Sequence, residues 1–127
     1  MATSYTMELY RGDDASWDVT VVDTATELPI NLTDMTGRKF WFTVKQQLTD
    51  GDSLILFQKT SAGGGGIAIQ NAIGGIIRIS VLEADTERFM APMTFQYDIR
   101  FKNSDNKVTT IVIGQFRILG NVTRELV

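Results

Sequence analysis

The side chains able to do chemistry in this 127-residue chain are carboxylates, amines, guanidinium groups and hydroxyls, because His and Cys are both absent. Without His there is no Ser-His-Asp or Cys-His triad and no imidazole metal site. Without Cys there is no thiolate nucleophile, redox pair, disulfide framework or thiolate zinc site. Carboxylates are what remain. Glu83, Asp85 and Glu87 crowd one short segment. Paired carboxylates serve as acid and base when an apolar pocket raises one pKa. A short surface helix supplies no such pocket, so these read as ordinary charge near a first helical turn. Asp13-Asp14, Asp23 and Asp50-Gly51-Asp52 could offer oxygens to Ca²⁺. None has the Dx[DN]x[DN]G spacing of a dedicated loop, so they read as solvated turn residues, with a structural ion left open.

The remaining motifs are weaker. Gly63 to Gly66 suggest a phosphate cradle, but no Lys follows and the next element is a strand, which makes the run a flexible or bulged β-connection. Arg11-Gly12-Asp13 spells the cell-adhesion tripeptide, and Gly12 equally suits a tight turn. Asn31-Leu32-Thr33 and Asn121-Val122-Thr123 have glycosylation spacing, which is inert in a chain that is not exported. The net charge of −3 gives no reason to expect nucleic acid, whose binding needs clustered Lys and Arg. No apolar stretch approaches a membrane span, and the N-terminus lacks a signal-peptide pattern. The expectation is a non-enzymatic protein made in the cytoplasm, with no catalytic residue, cofactor or metal and with neither nucleic acid nor membrane as partner.

The elements that position these residues follow a period of two. Tyr5, Met7 and Leu9 alternate with polar neighbours, as do Trp17, Val19 and Val21. Phe40, Phe42 and Val44 repeat the pattern, then Ile77, Ile79 and Val81, then Phe95, Tyr97, Ile99 and Phe101. Each reads as a strand with one buried and one wet face. Leu54 to Phe57 and Val108 to Ile113 are apolar on nearly both faces, which predicts central strands or strands covered by a partner. Turn chemistry separates them at 11–14, 23–29, 49–53, 71–75 and 103–106. One segment, Leu82 to Phe89, favours a helix, with Ser80 and Glu83 as its capping box, Leu82, Thr86 and Phe89 as its apolar face and Pro92 as its stop. The fold expected is all-β: an immunoglobulin-like antiparallel β-sandwich of seven to eight strands with one short helical crossover, in a single domain over 1–127.

Trp41 is out of phase with Phe40 and Phe42, so it faces away from the core they line. A large aromatic on a wet sheet face suits a protein interface, and a covering loop or second layer would suit it equally. Ile111 and Ile113 are out of phase with Val112, which suggests a second apolar face. Trp41, Tyr10, Ile111 and Ile113 are the candidate partner contacts. Exposed aromatics on a sandwich also bind sugars, and Trp17, Trp41 and Tyr10 are the candidates for that.

Several motifs occur in a characteristic order. Tyr10-Arg11-Gly12-Asp13-Asp14 is followed by Pro29-Ile30-Asn31-Leu32-Thr33, Phe40-Trp41-Phe42-Thr43-Val44-Lys45 and Gly66-Ile67. Ala84-Asp85-Thr86, Phe95-Gln96-Tyr97-Asp98-Ile99, Gly114-Gln115-Phe116-Arg117-Ile118 and Val122-Thr123-Arg124 complete the series. This order resembles the small β-sandwich structural proteins of tailed bacteriophages and prophages, including the N-terminal domain of baseplate upper proteins. Two motifs depart from the pattern: Pro92-Met93-Thr94-Phe95 replaces Pro-Gly-x-Tyr, and the Gly after Leu32-Thr33 is delayed to Gly37. The resemblance implies a virion structural protein of the tail or baseplate, an assembly module that contacts other virion proteins in several symmetric copies. Capsid decoration or head-fibre anchoring is the alternative within that class, and a module binding host surface glycans is the alternative outside it. The chain ends where a fibre-carrying region would begin, so the fibre role is not expected of it.

Overall fold

The computed structural model describes residues 3–23, 25–47, 49, 51, 54–87 and 89–120. Strands β1 (Thr3–Ser4), β2 (Met7–Tyr10), β3 (Ala15–Thr20), β4 (Lys39–Lys45) and β5 (Ile55–Thr60) come first. They are followed by β6 (Ile67–Asn71), β7 (Ile76–Val81), helix α1 (Glu83–Thr86), β8 (Met93–Lys102) and β9 (Val108–Leu119). The larger sheet runs β5-β4-β8-β9, and β1 and β2 lie in succession along the free edge of β9, both parallel to it. The smaller sheet is β3-β7-β6. The other pairings are antiparallel. Counting β1 and β2 as one interrupted edge, eight strand positions form the two layers. The order is immunoglobulin-like: β3, β7 and β6 stand for strands B, E and D, and β5, β4, β8 and β9 for C′, C, F and G.

Alternation sets the faces. Phe40, Phe42 and Val44 of β4 are buried, as are Phe95, Tyr97, Ile99 and Phe101 of β8, and Ile77, Ile79 and Val81 of β7. Each such side chain contributes roughly 1.5–3 kcal/mol on leaving water. Aromatic rings from β3, β4, β5, β8 and β9 meet in the core between the sheets. Phe42 lies 5.4 Å from Tyr97, 6.0 Å from Phe116 and 6.1 Å from Phe57, and Trp17 meets Phe116 edge-on at 6.1 Å.

Six local expectations are corrected. Tyr5 is 52% exposed, because the edge strand breaks at Tyr5-Thr6 and resumes in phase at Met7. Leu54 is exposed and β5 is an edge strand, not a central one. The capping residue of α1 is Leu82, not Ser80: the Asp85 carboxylate accepts the Leu82 N–H at 2.8 Å, while Ser80 stays in β7 opposite Ser16. Leu82 itself is exposed, so the apolar side of α1 rests on Thr86 and, just beyond the helix, Phe89. The helix ends at Thr86, well before Pro92. A β-bulge in β9 also splits the two isoleucines, since Ile99 pairs Val112 while Arg100 pairs Thr110. Ile111 is the extra residue and packs against the core, whereas Ile113 stays on the outer face opposite Asp98.

Candidate functional site

The outer face of the large sheet follows directly from the pleat. With Phe40, Phe42 and Val44 pointing in, Lys39, Trp41, Thr43 and Lys45 point out. The register lines them up with Lys102, Arg100, Asp98 and Gln96 of β8. Beyond β8 come Ile113, Gln115 and Arg117 of β9, and then Ser4 and Glu8 of the N-terminal edge. Trp41 lies between Arg100 on one side and Thr60 on the other. The Lys39 ammonium sits 5.3 Å from the centre of the Trp41 ring, within reach of its electron-rich face. Trp41 is half-buried in this setting.

The face is cationic. Among the described residues it carries Lys39, Lys45, Arg100, Lys102 and Arg117 against Asp98 and Glu8. Arg117 approaches Glu8 at 3.6 Å, a surface contact of small energetic weight. Lys39 and Lys102 stand directly opposite each other, an arrangement that costs a sheet stability.

The other candidates are scattered. Tyr10 ends β2 opposite Leu119 and is half exposed. Strands β9 and β8 separate it from β4, so it lies about 14 Å or more from Trp41. Trp17 packs inward against the core. The three aromatics therefore form no shared platform for a sugar ring. Ile113 lies on the same face as Trp41, with β8 between them, and Ile111 does not.

Three of the carboxylates are held, each by its own partner. Asp14 accepts the Glu83 N–H at 2.8 Å, and Asp23 accepts the Ala25 and Thr26 N–H groups at 2.8 and 3.4 Å. Asp85 pairs with Lys59 at 2.7 Å, both largely buried, so its close partner is a cation and not a second acid. Glu83 and Glu87 are exposed. No three carboxylates come together to hold a metal among the described residues. Asp50, Asp52, Asn121 and Val122-Thr123-Arg124 lie outside the described residues.

The turn at 11–14 is bound to its own chain. Gly12 takes φ +81°, Arg11 donates to the carbonyls of Phe89 and Glu87, and the Gly12 N–H donates to Thr86 Oγ1 at 3.0 Å. The glycine run is structural too. A Cβ at Gly65 or Gly66 would strike Thr60 or Lys59, so these glycines let the β5–β6 connection fold back onto β5.

Sequence reasoning did not reach one groove of about 560 Å³ at the end of the sandwich away from α1. Val21, Ile30, Phe101 and Ile111 form its apolar part, and Asp23, Glu27 and Asn103 its polar rim. The only sign of it in the sequence is the long 21–38 connection facing the 103–107 hairpin. No protein-family model matches the chain, and no curated protein does.

Proposed function

We propose that the protein is a virion structural protein of the tail or baseplate region of a tailed bacteriophage, acting without catalysis by contact with neighbouring virion proteins. The observation that carries this reading is Trp41, set on the outer face of a continuous sheet and ringed by Lys39, Arg100 and Thr60. A half-buried aromatic within a charged surround has the composition of an interface centre and its rim. The immunoglobulin-like sandwich supports the reading because it is the fold that the order of motifs implies. The test is incorporation into particles. In purified virions of the phage or induced prophage, Trp41→Ala is expected to lower the protein's copy number several-fold while the isolated variant stays folded. Wild-type protein missing from washed virions, or full incorporation of the variant, would overturn the reading. Electron microscopy that located the protein on the capsid would move it from tail to head.

A further inference from the structure

We infer that the cationic outer face of the large sheet is a docking site for a second copy of this chain, and that it receives the acidic end formed by the 11–14 turn and α1. The inference rests on the assembly-module reading and specifies its first contact.

The charge distribution carries the argument. The chain is acidic overall, at −3, yet its outer sheet face holds five cations against two carboxylates among the described residues. Elsewhere four of the five described cations are consumed internally, and Lys107 of the 103–107 hairpin is exposed. Arg11 is held by backbone carbonyls, Arg38 by the carbonyls of Asn31 and Asp34, Lys59 by Asp85 and Arg78 by Asp18. On the face, Arg100 and Lys102 make no ion pair among the described residues, and Lys39 meets only the Trp41 ring and the like charge of Lys102. Folding alone would favour separating Lys39 from Lys102, whereas an incoming carboxylate would bridge them.

The complementary surface lies on the same molecule. Asp13, Asp14, Glu83 and Glu87 are exposed at one end of the sandwich. They sit on a rigid support, because Gly12 is bonded to Thr86 and Asp14 to the N–H of Glu83. Arg11, the cation within that turn, aims its guanidinium at the carbonyls of Glu87 and Phe89. One end therefore presents fixed negative charge, and one face presents fixed positive charge around an aromatic. A face and an end are different patches, so the contact is heterologous. Repeated through one rotation, it closes into a ring or extends as a filament.

The experiment is sedimentation velocity on the whole chain, with two charge-reversed variants. One is Lys39→Glu/Arg100→Glu/Lys102→Glu on the face. The other is Asp13→Lys/Glu83→Lys/Glu87→Lys at the end, where Asp14 is kept for its bond to Glu83. Wild type is expected to self-associate at 25 mM NaCl and to dissociate at 500 mM. Each variant alone should associate at least about tenfold more weakly, and an equimolar mixture of the two should associate again, because reversed partners attract. Circular dichroism checks folding, and Gln in place of each reversed residue gives a milder series with the same expected direction. Wild type that stays monomeric at low salt overturns the proposal. So does association indifferent to both variants, or a monomer that instead retards single-stranded DNA. None of these outcomes bears on whether the protein is present in virions, so failure here is distinguishable from failure of the structural reading.

Discussion

The two ends of the sandwich are closed by different means. At the α1 end, contacts between distant parts of the chain do the closing: Arg11 to Phe89 and Glu87, Gly12 to Thr86, Asp14 to Glu83, Lys59 to Asp85. Phe89 adds apolar closure, 5.1 Å from Phe95 and 6.5 Å from Phe57. At the opposite end most side-chain bonds are local. Asp23, Asn31, Asp34 and Asn103 each accept N–H groups within a few residues of themselves. Longer reach comes from backbone, as in Ile30 to Val21 and Leu32 to Ala72, and from Ser61 Oγ, which accepts the Phe40 N–H at 3.0 Å. Local turn bonds shape a loop but do not draw it onto its neighbours, so this end keeps an open groove while the other is sealed.

That contrast can be tested by substitution, with the N-terminal edge as the most sensitive point between the two ends. Tyr5 crosses directly over Gly114, and its carbonyl accepts the Tyr97 hydroxyl at 2.7 Å. Gly114→Ala drives a methyl into that carbonyl and leaves a buried phenol without its acceptor. It should cost about 3 kcal/mol in denaturant unfolding. Phe89→Ala removes the apolar seal of the α1 end and should cost about 2 kcal/mol by the same measurement, less than a fully buried ring because Phe89 is half-buried.

The open end should respond more to acid than to truncation. Asp34 is held below the ordinary carboxylate range, first by the Thr36 backbone N–H, then by its side chain, with Arg38 adding to it. A depressed folded pKa contributes stability above the ordinary carboxylate range, and this is lost as pH falls through the folded value. Thermal midpoints of wild type and Asp34→Leu should therefore differ near neutrality and converge in acid. Thr110→Ala, on the groove wall, should change stability by no more than about 0.5 kcal/mol. A large loss there would mean that the groove is packed and not open.

The strands were legible because alternation records which face is wet. Phe40, Phe42 and Val44, like Ile77, Ile79 and Val81, needed no tertiary knowledge. What escaped was decided by single residues and by neighbours far along the chain. The bulge at Ile111 shifts phase by one residue, and nothing in Thr109 to Ile113 marks which residue is extra. Leu54 to Phe57 reads as central because Leu56 and Phe57 do pack on the core, although their strand lies at an edge. Lys59, opposite the buried Phe42, faces inward, which only its pairing with Asp85 makes tolerable. On the candidate face, the outward direction of Trp41 was readable from its phase. The cations around it were not, since they come from β4, β8 and β9 and meet only through register.

The parallel edge has a mechanical meaning. β1 and β2 run in the same direction as β9, with six residue pairs in register from Thr3↔Val112 to Tyr10↔Leu119. Tension that draws the chain ahead of β1 away from the chain after β9 acts along these strands. It loads their backbone bonds together, in shear, instead of unzipping them one after another. Held by one neighbour on its N-terminal side and another on its C-terminal side, the domain would resist sliding until several bonds failed at once, while the distant edge strand β5 stayed slack.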